Sequence, residues 1–333
     1  MRAIVVHRFG GPEVLSLEEA PDPALLPGQV LIRNHAAGVN PVDAYTRAGS
    51  YARLPRLPYI PGWDGAGEVE AVGEGVAGFK PGDRVYFSGT ASGRSQGAYA
   101  SRVCSTRDQV HRLAGRLSYA QGAAIGVPYT TAHRALFHRG RTRPGETVLV
   151  HGASGAVGVA TVQLARAHGC TVLGTAGSDA GLELVRAQGA SHALRHGGSD
   201  TTAQVLSLTG GRGVDVIVEM LANVNLDRDL GMLAVGGRVL IVGNRGRIEI
   251  DPRQTMAKES AILGVMLWHA GDEELAGVHR QIATGFEDGS LTPVVGLVLP
   301  LAQAGRAQEI VFEGGAKGKV VLDVTGEALL PTR

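Results

Sequence analysis

The segment GASGAVG, residues 152–158, joins the apolar run TVLVH to VATVQLARAHG, whose apolar residues recur at helical spacing. Small residues at such a junction let the backbone approach a ligand closely. The first N–H groups of the helix, unsatisfied within it, then face that ligand as donors. An anion suits this cradle, a pyrophosphate above all. Gly155 permits the approach, Gly158 lets the helix pack closely on the sheet, and Ala153 stands where the first glycine is usual. A glycine triplet alone could be an empty turn. Followed by a second strand and further strand–helix units, it marks a dinucleotide site.

The next strand, TVLGTAGSDAG, bears on which dinucleotide. An NAD site usually ends this strand with a carboxylate that accepts from the ribose hydroxyls. Here stand Thr175, Ala176, Gly177 and Ser178, so the 2′-phosphate of NADP meets no repulsion. Ser178, with Arg195 or His196 further on, can donate to it. Asp179 would oppose it if turned inward, but as a helix N-cap its carboxylate would be taken by backbone N–H groups. The expected cofactor is NADPH.

A parallel sheet must position these residues. Between residues 126 and 266, the buried runs TVLVH, TVLGTA, HAL, VDVIVEM, GRVLIVG and AILGV alternate with the helical VATVQLARAHG, AGLELVRAQG, AQVLSLTG and LDRDLGMLA. That alternation predicts a doubly wound Rossmann sheet covered on both faces. Residues 1–125 instead carry short runs, AIVV, QVLIR, GAGEVEAV, DRVYF and AYASRVC, punctuated by GGPE, LLPG, FKPGD and SGRSQG. They predict a mostly β, barrel-like domain. Residues 267–333, with the helix-like HAGDEELAGVHRQIATGFEDG and the strand-like GKVVLDV, are expected to complete that first domain. The fold class is α/β.

Composition narrows the function. The 32 basic and 31 acidic residues leave a net charge of +1, which provides no global attraction to nucleic acid or anionic membrane. No apolar run approaches the roughly 20 residues of a membrane span, and MRAIVVHRFGGPE lacks the layout of a signal peptide, so a cytoplasmic protein is expected. The two cysteines, Cys104 and Cys170, are too few for a disulfide framework or a four-cysteine zinc lobe.

FGGPEVL (9–15), GVNPVDAYTRAGSY (38–51), QGAAIGVPYTTAHRAL (121–136), VLVHGASGAVG (148–158), EMLANVNL (219–226) and TMAKES (255–260) together resemble the zeta-crystallin family of NADPH:quinone reductases, in the medium-chain dehydrogenase/reductase superfamily. The resemblance runs over nearly the whole chain. It implies a GroES-like catalytic domain from residues 1–125 and 267–333, a Rossmann domain from 126–266, and a homodimer or homotetramer. Position by position it assigns Ser154, Gly155, Ala156 and Val157 to the pyrophosphate, with Gly177 and His196 near the adenosine end. Toward the nicotinamide it assigns Asn225, Val242, Gly243, Asn244, Arg245, Val265, Met266 and Leu267, and it matches Tyr45 to a cofactor-contacting tyrosine.

Zinc-dependent alcohol dehydrogenases of the superfamily differ at telling places. Where they carry three zinc ligands, this chain has Asn40, Trp63 and Gly126, and Val42 replaces the hydroxyl that relays the alcohol proton. Their structural-zinc loop gives way to the SGRSQGAYA region. No metal is therefore expected, and the acceptor must already be electron-poor. A quinone fits, with polarisation by Asn40 or Tyr45; an enal or enone reduced at its C=C bond fits nearly as well. On residue type alone Asn40 equally suits a cap before Pro41, and Tyr45 a core aromatic. His7, His35, His111, His133 and His138 show no ligand spacing. A single-stranded RNA-binding or crystallin-like structural role is the rival from another class, and no basic stripe with interleaved aromatics supports it.

Overall fold

The short runs QVLIR and GAGEVEAV become neighbouring strands of an antiparallel sheet. The computed structural model describes residues 1–89, 97–196, 200–315 and 317–326, and it divides into two units, Met1–Val127 with Gly271–Arg333 and Pro128–Ala270. In the first unit, β1 (Arg2–Val6) and β2 (Leu15–Glu19) form an antiparallel ribbon. The long β3 (Gln29–Val39) pairs with both β4 (Asp64–Val72) and β6 (Arg102–Thr106), and β5 (Arg84–Ser88) links β4 to β7 (Val110–Arg112). Alternate residues of these strands, Val30, Ile32, Val69, Val85, Phe87 and Val103, make the apolar core. Between β3 and β4 lies α1 (Pro41–Arg47), opened by Asn40 as N-cap and by Pro41, whose missing N–H costs nothing at the first helical position. Of the SGRSQGAYA region, residues 92–96 lie outside the described residues.

Two short helices, α2 (Tyr119–Gly122) and α3 (Gly126–His133), precede the second unit's sheet. That sheet takes β8 (Thr147–Val150), β9 (Thr171–Ala176), β10 (His192–Arg195), β11 (Val214–Glu219), β12 (Leu233–Ile241) and β13 (Ala261–Gly264) in the spatial order β10-β9-β8-β11-β12-β13. Every pairing is parallel. The crossovers include α4 (Ala156–Ala167), α5 (Asp179–Ala187), α6 (Thr201–Leu208), α7 (Ala222–Met232) and α8 (Pro252–Lys258). Helices cover the sheet, which is why VLV of β8 is buried throughout rather than alternating. α7 starts four residues ahead of LDRDLGMLA and stops at Met232, because Leu233 already pairs with Val214 in the sheet.

The chain then returns to the first unit with α9 (Asp272–Asp288), β14 (Val295–Pro300), α10 (Ala304–Glu313) and β15 (Lys319–Asp323). β15 pairs antiparallel with β3, Val320 opposite Val39, and parallel with β14. β2, β7, β14 and α10 are not anticipated by the sequence reading. No helix among the described residues is long and apolar enough to cross a membrane.

Candidate functional site

Because all six strands of the second unit run the same way, their carboxyl ends share one edge, the edge where doubly wound sheets bind ligands. Every candidate residue of this unit lies just beyond one of those ends. Ser154–Val157 follow β8, Gly177 and Ser178 follow β9, and His196 follows β10. Asn225, Val242–Arg245 and Val265–Leu267 follow β11, β12 and β13. The predicted set, scattered over more than a hundred positions of sequence, is thus gathered on one rim.

The turn after β8 has the geometry of an anion cradle. Gly155 caps α4 in an extended conformation and supplies no side chain to the helix end, so the first amides of α4 keep their donors. A Cβ on Gly155 would meet only Gly152 O, at 3.4 Å, an ordinary contact. Among the described residues nothing else lies within 4 Å of that position. Gly158 differs: a Cβ there would fall 2.4 Å from Gly152 O and 2.6 Å from the Cα of Ala153. The close packing expected of Gly158 is therefore against the turn itself rather than the sheet surface.

At the end of β9, Ser178 and not Asp179 is the helix N-cap, its Oγ accepting from Gly181 N at 3.1 Å. Asp179 is the first residue of α5, and its exposed carboxylate pairs instead with Arg195, which also donates to Gly177 O at 3.0 Å. The expectation of a capping Asp179 is corrected accordingly: the shorter serine reaches its own helix amide, and the aspartate is left for arginine. His196 lies against Gly177, its Nε2 2.8 Å from where a Cβ would stand. Burial, with the nearby His151, holds the His196 ring below the usual imidazole range.

On the far half of the rim, Asn225 is held at both ends of its amide. Its Nδ2 donates to Glu219 Oε1 at 3.1 Å, and its Oδ1 accepts from Arg228 Nη2 at 2.9 Å. Val242 and Gly243 donate to Glu219 O at 2.9 and 3.2 Å, and Arg245 N donates to Asn223 Oδ1 at 2.9 Å, tying that loop to the start of α7. Val265 N donates to Ile241 O at 2.9 Å; Val265 is buried, while Met266 is exposed.

In the first unit, Tyr45 sits half-buried on α1 with its ring 5.3 Å from that of Phe312. Asn40 is buried and caps α1 by position, yet its side chain turns elsewhere. Its Oδ1 accepts from Lys319 Nζ at 2.5 Å, and its Nδ2 donates to Asp64 Oδ2 at 2.9 Å. Lys319 also reaches Asp64 Oδ2, at 3.0 Å, and Asp64 Oδ1 accepts from Ser88 Oγ and from Val127 N. By position Asn40 is the cap before Pro41 that its residue type suits, while its side-chain amide is engaged by Lys319 and Asp64. The backbone N–H of Asn40 donates to Asp43, whose carboxyl is pushed up to about 7 by burial.

These residues do not fit a zinc ion. The donors zinc takes are thiolate, imidazole and carboxylate, and among Asn40, Trp63, Gly126 and their neighbour Asp64 only the last offers one. That carboxylate is held by the Lys319 ammonium, a cation already in place. A side chain at position 126 would begin 2.2 Å from Asp64 Oδ1, so the third ligand position is filled by the carboxylate itself. The sequence reading missed Lys319 and Asp64; the signal was the lysine opening the apolar KVVLDV.

Comparison with known proteins agrees with both halves. Residues 26–124 match the alcohol dehydrogenase GroES-like domain, and residues 156–284 match the domain described as zinc-binding dehydrogenase. The rat quinone oxidoreductase is 51% identical over 324 residues, 97% of each chain. Among solved structures, an NAD-dependent alcohol dehydrogenase superposes with a TM-score of 0.89 at 32% identity, covering 97% of this chain and 100% of the other. A mycobacterial protein complexed with NADPH does so at 0.87 and 30%, with the same coverage. A GroES-like unit, a Rossmann-like parallel sheet and half-identity along nearly the full length lead to one assignment: the chain belongs to the zeta-crystallin type of quinone oxidoreductases, within the medium-chain dehydrogenase/reductase superfamily.

Proposed function

We propose that the protein is a cytoplasmic NADPH:quinone oxidoreductase that works without a metal, as a homo-oligomer. The observation that carries the reading is the buried Lys319–Asp64–Asn40 group, which puts an ammonium where a metal-dependent relative would need ligands. Bound NADPH supplies the reducing equivalents. Ser154–Val157 hold its pyrophosphate through the amides that open α4. Ser178, His196 and the guanidinium of Arg195 face the adenosine ribose and its 2′-phosphate, and Gly177 lies beside them, its missing Cβ making room for the His196 ring. Asn225, Val242–Arg245 and Val265–Leu267 line the nicotinamide end, and Tyr45 is a further cofactor contact.

Asn40 gives its remaining Nδ2 hydrogen to the acceptor oxygen. Because its Oδ1 is drawn toward the Lys319 ammonium, that hydrogen is a stronger donor than in an isolated amide. A quinone oxygen, whose developing charge is delocalised, needs no more than this and a proton from water. An alcohol needs its proton removed as well, and Val42 offers no relay, its carbonyl being taken by Thr46 Oγ1 at 2.8 Å. The free thiols Cys104 and Cys170 suit a reducing compartment. β13 closes one edge of its sheet with Ile262 exposed, a surface that supports association of copies.

The test is a side-by-side kcat/KM with NADPH for a naphthoquinone, a benzoquinone, an alkenal and, with NADP, a primary alcohol, each with and without chelator. Quinone turnover indifferent to chelator is the expected result. Efficient alcohol oxidation would overturn the mechanism, and alkenal turnover far above any quinone would move the assignment to C=C reduction.

A further inference from the structure

Between β8 and β11 the strand order of the sheet reverses, and at the carboxyl ends of these two strands three ionisable side chains lie buried together. A ring nitrogen of His151 and one carboxylate oxygen each of Glu219 and Asp229 are within 4.8 Å of one another. His151 Nε2 is 2.9 Å from Asp229 Oδ1 and 3.6 Å from Glu219 Oε2.

The hydrogen bonds around the cluster have a direction. Gly152 N donates to Thr175 Oγ1 at 3.3 Å, which leaves the threonine hydroxyl proton for His151 Nδ1, also at 3.3 Å. With Nδ1 accepting, the ring proton belongs on Nε2, where it is donated to Asp229. Glu219 Oε1 accepts from Leu221 N and from Asn225 Nδ2. That leaves Glu219 Oε2 and Asp229 Oδ2, which meet no hydrogen-bond donor among the described residues. Two buried carboxylates beside a neutral ring cannot both stay ionised, so they hold one proton between them. The charge then rests on Glu219, which has two N–H donors.

We propose that His151, Glu219 and Asp229 are positioning residues acting as one proton-sharing unit: Glu219 fixes the amide of Asn225, His151 fixes the Gly152 turn through Thr175, and the grip on the cofactor follows the number of protons the unit holds. The inference rests on the reading in which Asn225 and the glycine-rich turn bind NADPH. Burial pushes both carboxyls up and the His151 ring down, which moves the loss of the shared proton toward neutrality. The other charged groups facing the unit are Arg228 on α7 and His196 after β10. Loss of the shared proton leaves two like charges in contact at the end of the sheet that must attract an anion. Affinity for NADPH therefore falls as pH rises through that range.

The experiment measures NADPH dissociation constants by nicotinamide fluorescence on the full chain, from about pH 6 to about pH 8, with melting curves to verify folding. Wild type should weaken by roughly tenfold across this range. Asp229→Asn, which frees Glu219 of its like-charged neighbour, should flatten that dependence. Glu219→Gln should weaken binding about fivefold at the acid end, where a charge-assisted bond to Asn225 becomes a neutral one. Ionisation of the 2′-phosphate is common to every variant and cancels in the comparison. Superimposable profiles for wild type and Asp229→Asn, or Glu219→Gln binding as wild type, would overturn the proposal while leaving the cofactor reading intact. Absence of NADPH binding by wild type would overturn both. If the carboxyl variants fail to fold, wild type with NADH, which lacks the titrating 2′-phosphate, decides: its affinity must fall as pH rises, and a flat profile overturns the proposal.

Discussion

The Lys319 ammonium lies 3.0 Å from Asp64 Oδ2, and neither side chain is more than 2% exposed. Such a pair adds little over an apolar filling, but losing one partner strands the other charge. Lys319→Met should therefore cost about 3–5 kcal/mol in denaturant unfolding. Adding Asp64→Asn to it should recover part of that loss. A single variant as stable as wild type would overturn the reading of this contact as a buried ion pair.

The two glycines of the turn should separate binding from folding. Gly155 has ordinary backbone angles and only a 3.4 Å neighbour for an added Cβ, so Gly155→Ala should melt as wild type but bind NADPH at least tenfold more weakly. Gly158→Ala, with a 2.4 Å clash against backbone, should lower the melting temperature as well. Equal effects of the two on melting would show that the turn yields more than its geometry implies.

Cofactor preference should answer to Arg195. Asp179→Ala removes the carboxylate now paired with it and should raise the ratio of NADPH to NADH affinity; Arg195→Ala should lower it. Gly177→Asp should lower it further, through repulsion of the 2′-phosphate and displacement of His196. Titration calorimetry with both dinucleotides reads all three, and equal affinities in wild type would refute the argument from the strand end.

Asp43 couples stability to pH. Its carboxyl ionises at the ordinary 3.8 in the unfolded chain and at about 7 when buried in the fold. The stability it contributes is complete below the unfolded value and is lost as pH rises through the folded one. Asn at this position stays uncharged, so the melting temperature of Asp43→Asn relative to wild type should climb between about pH 4 and about pH 7 and then level off. A constant difference would place the titration elsewhere.

How much of this was legible in the sequence depends on the range of the interaction. Of the second unit's six strands, β8, β9, β11 and β12 are mostly buried and stand out as apolar runs, whereas β10 and β13, expected to be buried like them, lie at the sheet edges and are largely exposed; strand–helix alternation is a local signal for a parallel sheet. GASGAVG is likewise complete within seven residues. The pairings that make the chemistry are not local. Lys319 meets Asn40 across 279 residues, and His151 meets Asp229 across 78. A charged residue opening or closing an apolar strand, as in KVVLDV and VDVIVEM, was the available hint, and it says that a partner must exist without saying which. Asp179 shows the opposite limit, where two adjacent residues both suit a cap and only the built helix chooses Ser178.

The antiparallel pairing of β3 with β15 also bears on how the protein is made. On the ribosome, β3 emerges before the second unit and must wait until that unit has been made before β15 completes its sheet, whereas β8 to β13 arrive as one uninterrupted stretch. The second unit can thus complete its core during synthesis, while the first holds an open strand edge until β15 follows. In the interval that edge, with Val39, Ala37 and their neighbours bare, is the part of the nascent chain that a chaperone would have to shield.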